Sequence, residues 1–337
     1  VSVDYGTQVA TSEASIAKGK ELFHEGDRCS ECHGQDGKGD GIKKLKGDNG
    51  ERTWPRNLTK PWTFRGSNDP KDIFTRVSTG IPGTQMPSFA NPKSKVKLSV
   101  EDRWNVANYV QSLAKTDKVV AAENTVVKAN RIEGDVPSDP NDPAWDTAEL
   151  TTFMMVPQIF EKERVFTYSN DTITLSAFYN ETELAMMLEW DDRTRSIPGD
   201  PDIDKIADKV PFEDMISVQL PVTIPEGTQK PYFINGDTNN PVNLLTWRSG
   251  TSETPQSVSA ANATGSENIE ERDAANIGLV ASSAYKDGTW RVVMKRPLST
   301  SNAESDLQLV EGRFIPIAFA NWDGSNSETG TKHTRTT

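Results

Sequence analysis

Cys29-Ser30-Glu31-Cys32-His33 constrains this chain more than any other segment. Two thiols three positions apart, with a histidine directly after the second, can bond one flat group at two points and set an imidazole beneath it. That is the requirement of a covalently attached haem: the cysteines add across the vinyl groups and His33 lies under the iron as proximal ligand. Zinc would want a second Cys/His pair, and the chain has no other cysteine and only His24 and His333 besides. A redox dithiol would want a βαβ setting, whereas these surroundings are helical and glycine-rich.

Around the motif the apolar spacing is that of helices. Thr11 or Ser12 can cap a helix running to about Glu25, with Ile16, Gly19, Leu22 and Phe23 at helical intervals. The loop from His33 to Gly41 is rich in glycine, so its backbone can pass close to a flat porphyrin. Asp69 or Pro70 starts a short helix from Asp72 to Ser78. Ser99 caps another, with Asp102 at the capping-box position and Trp104, Ala107, Val110 and Leu113 behind it. Gly19 and Phe23 on the first helix and Trp104 or Tyr109 on the last suit a close crossing.

Over residues 10–115 this layout resembles a small monohaem cytochrome c. The resemblance implies an all-α domain and assigns a role to the run Thr79-Gly80-Ile81-Pro82-Gly83-Thr84-Gln85-Met86-Pro87-Ser88-Phe89. In such cytochromes the methionine of G-x-x-M-P is the distal iron ligand, here Met86, and a thioether raises the potential relative to a second histidine. His24 competes, but it lies five residues before Cys29, on the proximal side, and reads as a surface or propionate-facing residue. Trp54 with Arg56 and Trp62 with Arg65 are pocket candidates, since arginine offers bidentate geometry to a propionate and tryptophan can line the slot.

From Lys115 to Pro143 the character changes, with helix breakers over Ala129 to Pro143 as in a linker or domain entry, and beyond it the apolar period becomes two. Thr172 to Tyr179 and Glu183 to Trp190 form a hairpin candidate around Asn180-Glu181. Met215 to Leu220, Val242 to Trp247, Trp290 to Arg296 and Phe314 to Ala320 are further short strands. Many short strands between Pro, Gly and Asn turns indicate an antiparallel β-sandwich. Ser249 to Tyr285, poor in large apolar residues, reads as a long excursion, partly helical from Ile269 to Ala275. The expected organisation is multidomain: an all-α cytochrome c domain over 1–118 and a β-sandwich over 119–337. No metal cluster, phosphate loop or nucleophile pattern is legible in the second half.

A second resemblance carries that half further. Asp142-Pro143-Ala144-Trp145-Asp146, Leu188-Glu189-Trp190-Asp191-Asp192, the run from Asp214 to Pro221, Pro241 to Trp247, Lys286 to Leu298 and Phe319-Ala320-Asn321-Trp322-Asp323-Gly324-Ser325-Asn326 are similar to the haem-binding domain of ethylbenzene dehydrogenase. Together they cover most of residues 125–335. Members of that family serve as γ subunits of periplasmic molybdenum enzymes of the dimethyl-sulfoxide-reductase type. The resemblance implies electron transfer through a haem b held by a lysine and a methionine. The lysine maps to Lys332, which can ligate iron only as the neutral amine and so needs a buried site. The methionine position, after P-Y-F and before G-D, maps to Asn235, a weaker and harder ligand. Met215 or Met187 turned inward, or a five-coordinate iron, are the alternatives. The resemblance also places a last strand where the sequence ends, at Thr337.

Charge is divided unevenly. Residues 1–118 hold 19 basic and 15 acidic side chains, a net +4, and residues 119–337 hold 18 and 34, a net −16. Overall acidity argues against nucleic acid and anionic membrane as partners. A mean hydropathy of −0.61 and the lack of a long apolar run argue against a transmembrane helix. No signal segment is visible at Val1; because covalent haem attachment occurs outside the cytoplasm, a processed chain of the periplasm, or of an equivalent compartment such as the anammoxosome lumen, is expected. The function expected is dihaem electron transfer between the iron–sulfur and molybdenum subunits of a complex, nitrite oxidoreductase by preference, and a soluble cytochrome or other acceptor. A haem enzyme such as a peroxidase, and a binding sandwich with an attached cytochrome, are the rival classes.

Overall fold

Ser12, with extended backbone, accepts the Ser15 N–H through its hydroxyl and so starts α1 (Glu13–His24). The computed structural model of the chain describes residues 3–41, 43–50, 52–115, 126–165, 168–201, 210–227 and 230–336. It divides into two units, Val1–Asp117 and Lys118–Thr337.

In the first unit α1 is followed by α2 (Ser30–His33), a two-residue ladder of β1 (Leu45–Lys46) and β2 (Arg52–Thr53), α3 (Pro70–Thr79) and α4 (Val100–Ser112). The ladder is a small departure from the all-α expectation. Asp69 caps α3 through the Lys71 N–H, with Pro70 at its first turn. Ser99 caps α4 by accepting the Asp102 N–H; its hydroxyl also donates to the Asp102 carboxylate at 2.8 Å. The core is Leu22, Phe23, Ile73, Phe74, Val77, Phe89, Trp104 and Tyr109, all buried. Phe74 and Trp104 stack with centroids 4.3 Å apart, and Phe23 meets Tyr109 edge-on at 5.3 Å. Gly19 permits this crossing: a Cβ there would lie 2.0 Å from the Asn105 carbonyl oxygen and 2.7 Å from Tyr109 Cβ.

The second unit is a sandwich of two sheets. Its strands are β3 (Ala129–Arg131), β4 (Thr151–Met154), β5 (Val156–Pro157), β6 (Thr172–Tyr179), β7 (Glu183–Asp191), β8 (Met215–Pro221) and β9 (Val242–Arg248). After these come β10 (Ser257–Ala263), β11 (Ile269–Arg272), β12 (Val280–Lys286), β13 (Thr289–Pro297), β14 (Ala318–Trp322) and β15 (Thr334–Arg335). One sheet runs β11-β10-β9-β8-β14-β15-β5; the other runs β12-β13-β7-β6-β3, with β4 also on β6. Every pairing is antiparallel except that of β3 with β6. Ile173 and Leu175 of β6, Leu188 and Trp190 of β7 and Val292 of β13 meet Ile216, Val218, Leu245, Trp247 and Phe319 of the other sheet in the core.

One expectation is corrected. Ser249 to Tyr285 is no excursion: it carries β10, β11 and most of β12, and Ile269–Arg272 is a strand rather than a helix, with a single 3-10 turn at Ala274–Ile277. These strands lie toward the margins of their sheets, where little side-chain area is buried, so Ser, Ala and Glu suffice. Of the stretch read as a linker or domain entry, the later part enters the sandwich. Ala129–Arg131 pairs with β6, and Trp145, on the 3-10 turn Pro143–Thr147, is buried against Phe178, Met187 and Val293. Residues 116–125 of that stretch lie outside the described residues.

Candidate functional site

In the first unit Cys29 is the residue before α2, and the Cys32 and His33 N–H groups both bond its carbonyl, at 3.1 and 2.8 Å. This single helical turn carries both thiols and the imidazole. Burial pushes the Cys29 thiol up to about 12 and raises Cys32 as well. His33 Nδ1 lies 3.1 Å from the Arg56 carbonyl oxygen. A carbonyl can only accept, so Nδ1 carries the proton and Nε2 keeps its lone pair, the arrangement of a metal-binding histidine. The glycine-rich loop closes over the same turn: Gly39 N–H bonds the His33 carbonyl and Gly41 N–H the Cys32 carbonyl. At Gly41 a Cβ would stand 2.3 Å from the carbonyl oxygens of Cys32 and Glu31, so the close approach the glycines allow here is to the motif helix itself.

Met86, half-buried, packs with Cys29 against the apolar cluster of this unit. Its loop is pinned by Ile81 N–H on the Met86 carbonyl, Met86 N–H on Thr84 Oγ1, and Phe89 N–H on the Val77 carbonyl. Trp62, on the 3-10 turn Pro61–Thr63, buries its indole Nε1–H without an acceptor. Such a group is costly unless an acceptor arrives, and a haem carboxylate is one. These features fit a haem. His24 does not fit the role of ligand or propionate partner, because Nδ1 and Nε2 lie 2.8 and 2.9 Å from the carbonyls of Lys20 and Gln35. Arg56 supplies its backbone to His33, Arg65 is exposed, and the guanidinium stacked on Trp54, 4.0 Å from the ring centroid, is that of Arg52, which sequence reasoning missed.

In the second unit the sheet register sorts the candidate ligands. Ile216, Val218 and Phe319 point into the core, so their neighbours Met215, Ser217 and Gln219, opposite Trp322, Ala320 and Ala318, face outward. Arg335 pairs with Ala320 and therefore shares that outer face, as does His333 two residues earlier, whose ring meets Trp322 at 4.7 Å. The loop bearing Asn235 lies over the same face: Gln219 donates to the Tyr232 carbonyl and accepts the Asn235 N–H, both at 2.9 Å. Asn235 has φ 57°, a left-handed conformation that asparagine tolerates, and its amide donates to Ser266 Oγ. Met215 is thus on the face of this loop. Met187 is not; it is buried under Trp145 on the outside of the other sheet, which removes it as a ligand there.

Lys332 is half-buried, its N–H on the Thr329 carbonyl. Beside it are groups that sequence reasoning missed. His33 has a counterpart in His333, whose Nδ1 lies 3.2 Å from the Gly330 carbonyl while Nε2 is buried without a partner. Burial, with the Arg335 charge second, pushes this imidazole down to about 4. Arg335 donates through Nη2 to the Phe233 carbonyl at 2.7 Å and lies over the Phe233 ring, yet its Nε and Nη1 are buried and unpartnered; burial lowers it to about 10. Two orphan donors and an orphan lone pair on one face fit a group that brings both carboxylates and a metal. A basic residue two positions from a histidine in a terminal strand was the available signal.

The comparisons agree with this division. The ethylbenzene dehydrogenase family profile matches residues 142–276 and 261–334, more than half of the chain, and the cytochrome c profile matches 16–114. A protein of Haloferax mediterranei described as a respiratory nitrate reductase haem subunit is 30% identical over 196 residues, 58% of this chain; the chain spans 64% of that relative's length. The chlorate reductase subunit gamma of Ideonella dechloratans is 28% identical over 233 residues, 67% of this chain and 90% of its own. Among solved structures, a reducing HAO-like protein complex of Kuenenia stuttgartiensis is 38% identical over 34% of this chain and 50% of its own, with a TM-score of 0.31. By the extent of the first match the chain belongs to the ethylbenzene dehydrogenase family, with a cytochrome c domain preceding the family domain.

Proposed function

We propose that the chain is a two-haem electron-transfer subunit of a molybdenum oxidoreductase complex. The observation that carries this reading is the oriented His33, whose Nδ1–H on a backbone carbonyl puts the ring lone pair on Nε2, on the turn that holds both cysteines, in a chain whose second domain is of a haem-binding family. Haem supplies one-electron chemistry when bound. The residues of the chain hold and tune it: Cys29 and Cys32 by thioether bonds, His33 and Met86 at the iron, Trp62 with Trp54, Arg56 and Arg65 around the carboxylates. For haem b the proposal follows the family, with Lys332 as one ligand and Asn235 or Met215, which share the outer face, as the other. The orphan Nε2 of His333 is a second reading for the Lys332 role.

Relatives named as subunits of nitrate and chlorate reductases support a catalytic partner. Iron–sulfur and molybdenum subunits on one side and a soluble cytochrome or other acceptor on the other complete the proposed route; nitrite oxidoreductase is the preferred complex. A location in the periplasm or an equivalent compartment goes with covalent haem attachment. Among the described residues no helix is long and apolar enough to cross a membrane.

A pyridine haemochrome spectrum of the full chain tests the reading and should show one haem b and one haem c. Cys29→Ser with Cys32→Ser should leave all haem extractable by acid acetone. Lys332→Ala and His333→Ala separate the two b-ligand readings: the correct one loses the b signal and keeps the c signal. A single haem per chain would remove the second site.

A further inference from the structure

Three carboxylates that are far apart in sequence converge at one end of the sandwich. Asp192 follows β7 in one sheet; Asp214 precedes β8 and Asp323 follows β14 in the other. All three are buried, at 4%, 0% and 2% exposure, and one oxygen from each lies within 4.8 Å of the others, about the span of two calcium–oxygen bonds of ~2.4 Å. Among the described residues none of them forms an ion pair.

On two of the three carboxylates the hydrogen bonds are one-sided. Asp192 Oδ1 accepts the Thr194 N–H and hydroxyl, and Asp323 Oδ1 accepts the Ser325 N–H, the Ser325 hydroxyl and the Asn326 N–H. Asp214 takes the Ser196 N–H and Trp290 Nε1–H on Oδ2 and the Gly324 N–H on Oδ1. The Oδ2 atoms of Asp192 and Asp323 are buried with no donor at all. Asp192 and Asp323 are thus each held in place through one oxygen while the other is left bare, and Asp214 is held through both. Glu328, also buried, accepts the Asp323 N–H and adds a fourth carboxylate nearby.

Buried anions without a counter-charge are not tolerated: they take up protons or a cation. We infer that Asp192, Asp214 and Asp323 form a calcium site that ties the two sheets of the sandwich together. An all-oxygen donor set with no nitrogen or sulfur selects a hard cation. Burial of the ligands by protein favours calcium over magnesium, which demands a near-ideal octahedron and keeps its own water. Backbone carbonyls or water complete the coordination. Because the ion joins the end of β7 to the flanks of β8 and β14, its binding free energy adds to the stability of the folded domain.

The test uses the full haem-loaded chain and CaCl2 as the probe. Elemental analysis of protein purified without chelator should find about one calcium per chain. After dialysis against EGTA, 1 mM CaCl2 should raise the second domain's unfolding temperature by about 5 °C or more, and 1 mM MgCl2 should not reproduce it. Asp192→Asn and Asp323→Asn should each weaken calcium binding, read by titration calorimetry, at least tenfold while haem content stays unchanged. Substoichiometric calcium together with an unfolding temperature indifferent to CaCl2 would overturn the site and leave a proton-sharing carboxylate cluster.

Discussion

An imidazole has two nitrogens and, when neutral, one proton, so the backbone around a histidine decides which nitrogen is left over. His33 illustrates this: the Arg56 carbonyl takes the Nδ1 proton and Nε2 keeps the lone pair, whereas His24 has a carbonyl at each nitrogen. The same reasoning separates Met86, the proposed sixth ligand, from its rival His24. Met86→His should lower the c-haem potential and abolish the near-infrared sulfur-to-iron band, while His24→Ala should leave both; voltammetry and absorbance on the two variants check it. At this scale the candidate c site was legible because its residues sit in contiguous motifs. The Arg56 carbonyl was not, since a backbone atom leaves no mark in residue type. The Asp192, Asp214 and Asp323 cluster was invisible for another reason: only the register of two sheets brings them together.

Among elements, the α1–α4 crossing was readable from spacing, because Gly19, Phe23 and Tyr109 recur on helix faces that the structure does pack together, while Trp104, the alternative to Tyr109, stacks on Phe74 of α3 instead. Gly19→Ala should cost about 3 kcal/mol in urea or thermal unfolding of the first domain, since its Cβ would meet backbone rather than a side chain that can move. The marginal strands were harder to read. Ser257–Ala263 and Val280–Lys286 lack an apolar stripe, yet Asp287-Gly288 between β12 and β13, both with positive φ, is a hairpin signal that would have placed the second of them. β11 is tied down from its last residue: Arg272 pairs with the buried Asp306, which also accepts the Thr300 hydroxyl at 2.8 Å. Burial alone would raise the Asp306 carboxyl, but the bonds from Arg272 and Thr300 outweigh it and hold it below the usual range. A depressed folded-state pKa means that the unfolded chain binds the extra proton. The pair's stabilisation is therefore present above the ordinary carboxylate pKa near 3.9 and is lost as pH falls below it. Asp306→Asn should cost about 3 kcal/mol at pH 7 and flatten the acid limb of stability against pH.

For the whole molecule the division into two units and the sandwich class followed from the change of apolar period and of charge, from +4 over residues 1–118 to −16 over 119–337. In the cytochrome unit Lys43, Lys44 and Lys46, and Lys93, Lys95 and Lys97, are exposed. Electron transfer from the c haem to an acidic soluble acceptor should slow as salt rises, over a Debye length of about 8 Å at physiological ionic strength, and slow further when either triplet is changed to glutamate. Stopped-flow rates flat across ionic strength would exclude steering. A different consequence follows from β15. This two-residue strand sits between β14 and β5, joined to β5 through Thr334↔Pro157 and Arg335↔Val156, with most of the second unit's sequence lying between the two partners. Closing so long a loop is entropically expensive until the strands between are in place, so β15 docks late in folding. Pulse-labelled hydrogen exchange should find the amides of Gln158 and Thr336, bonded to the His333 and Phe319 carbonyls, protected after those of β7 and β13. Until then the outer face that carries His333 and Arg335 stays open at one edge, and a haem would be received by a sandwich already assembled rather than serve as the nucleus around which it folds.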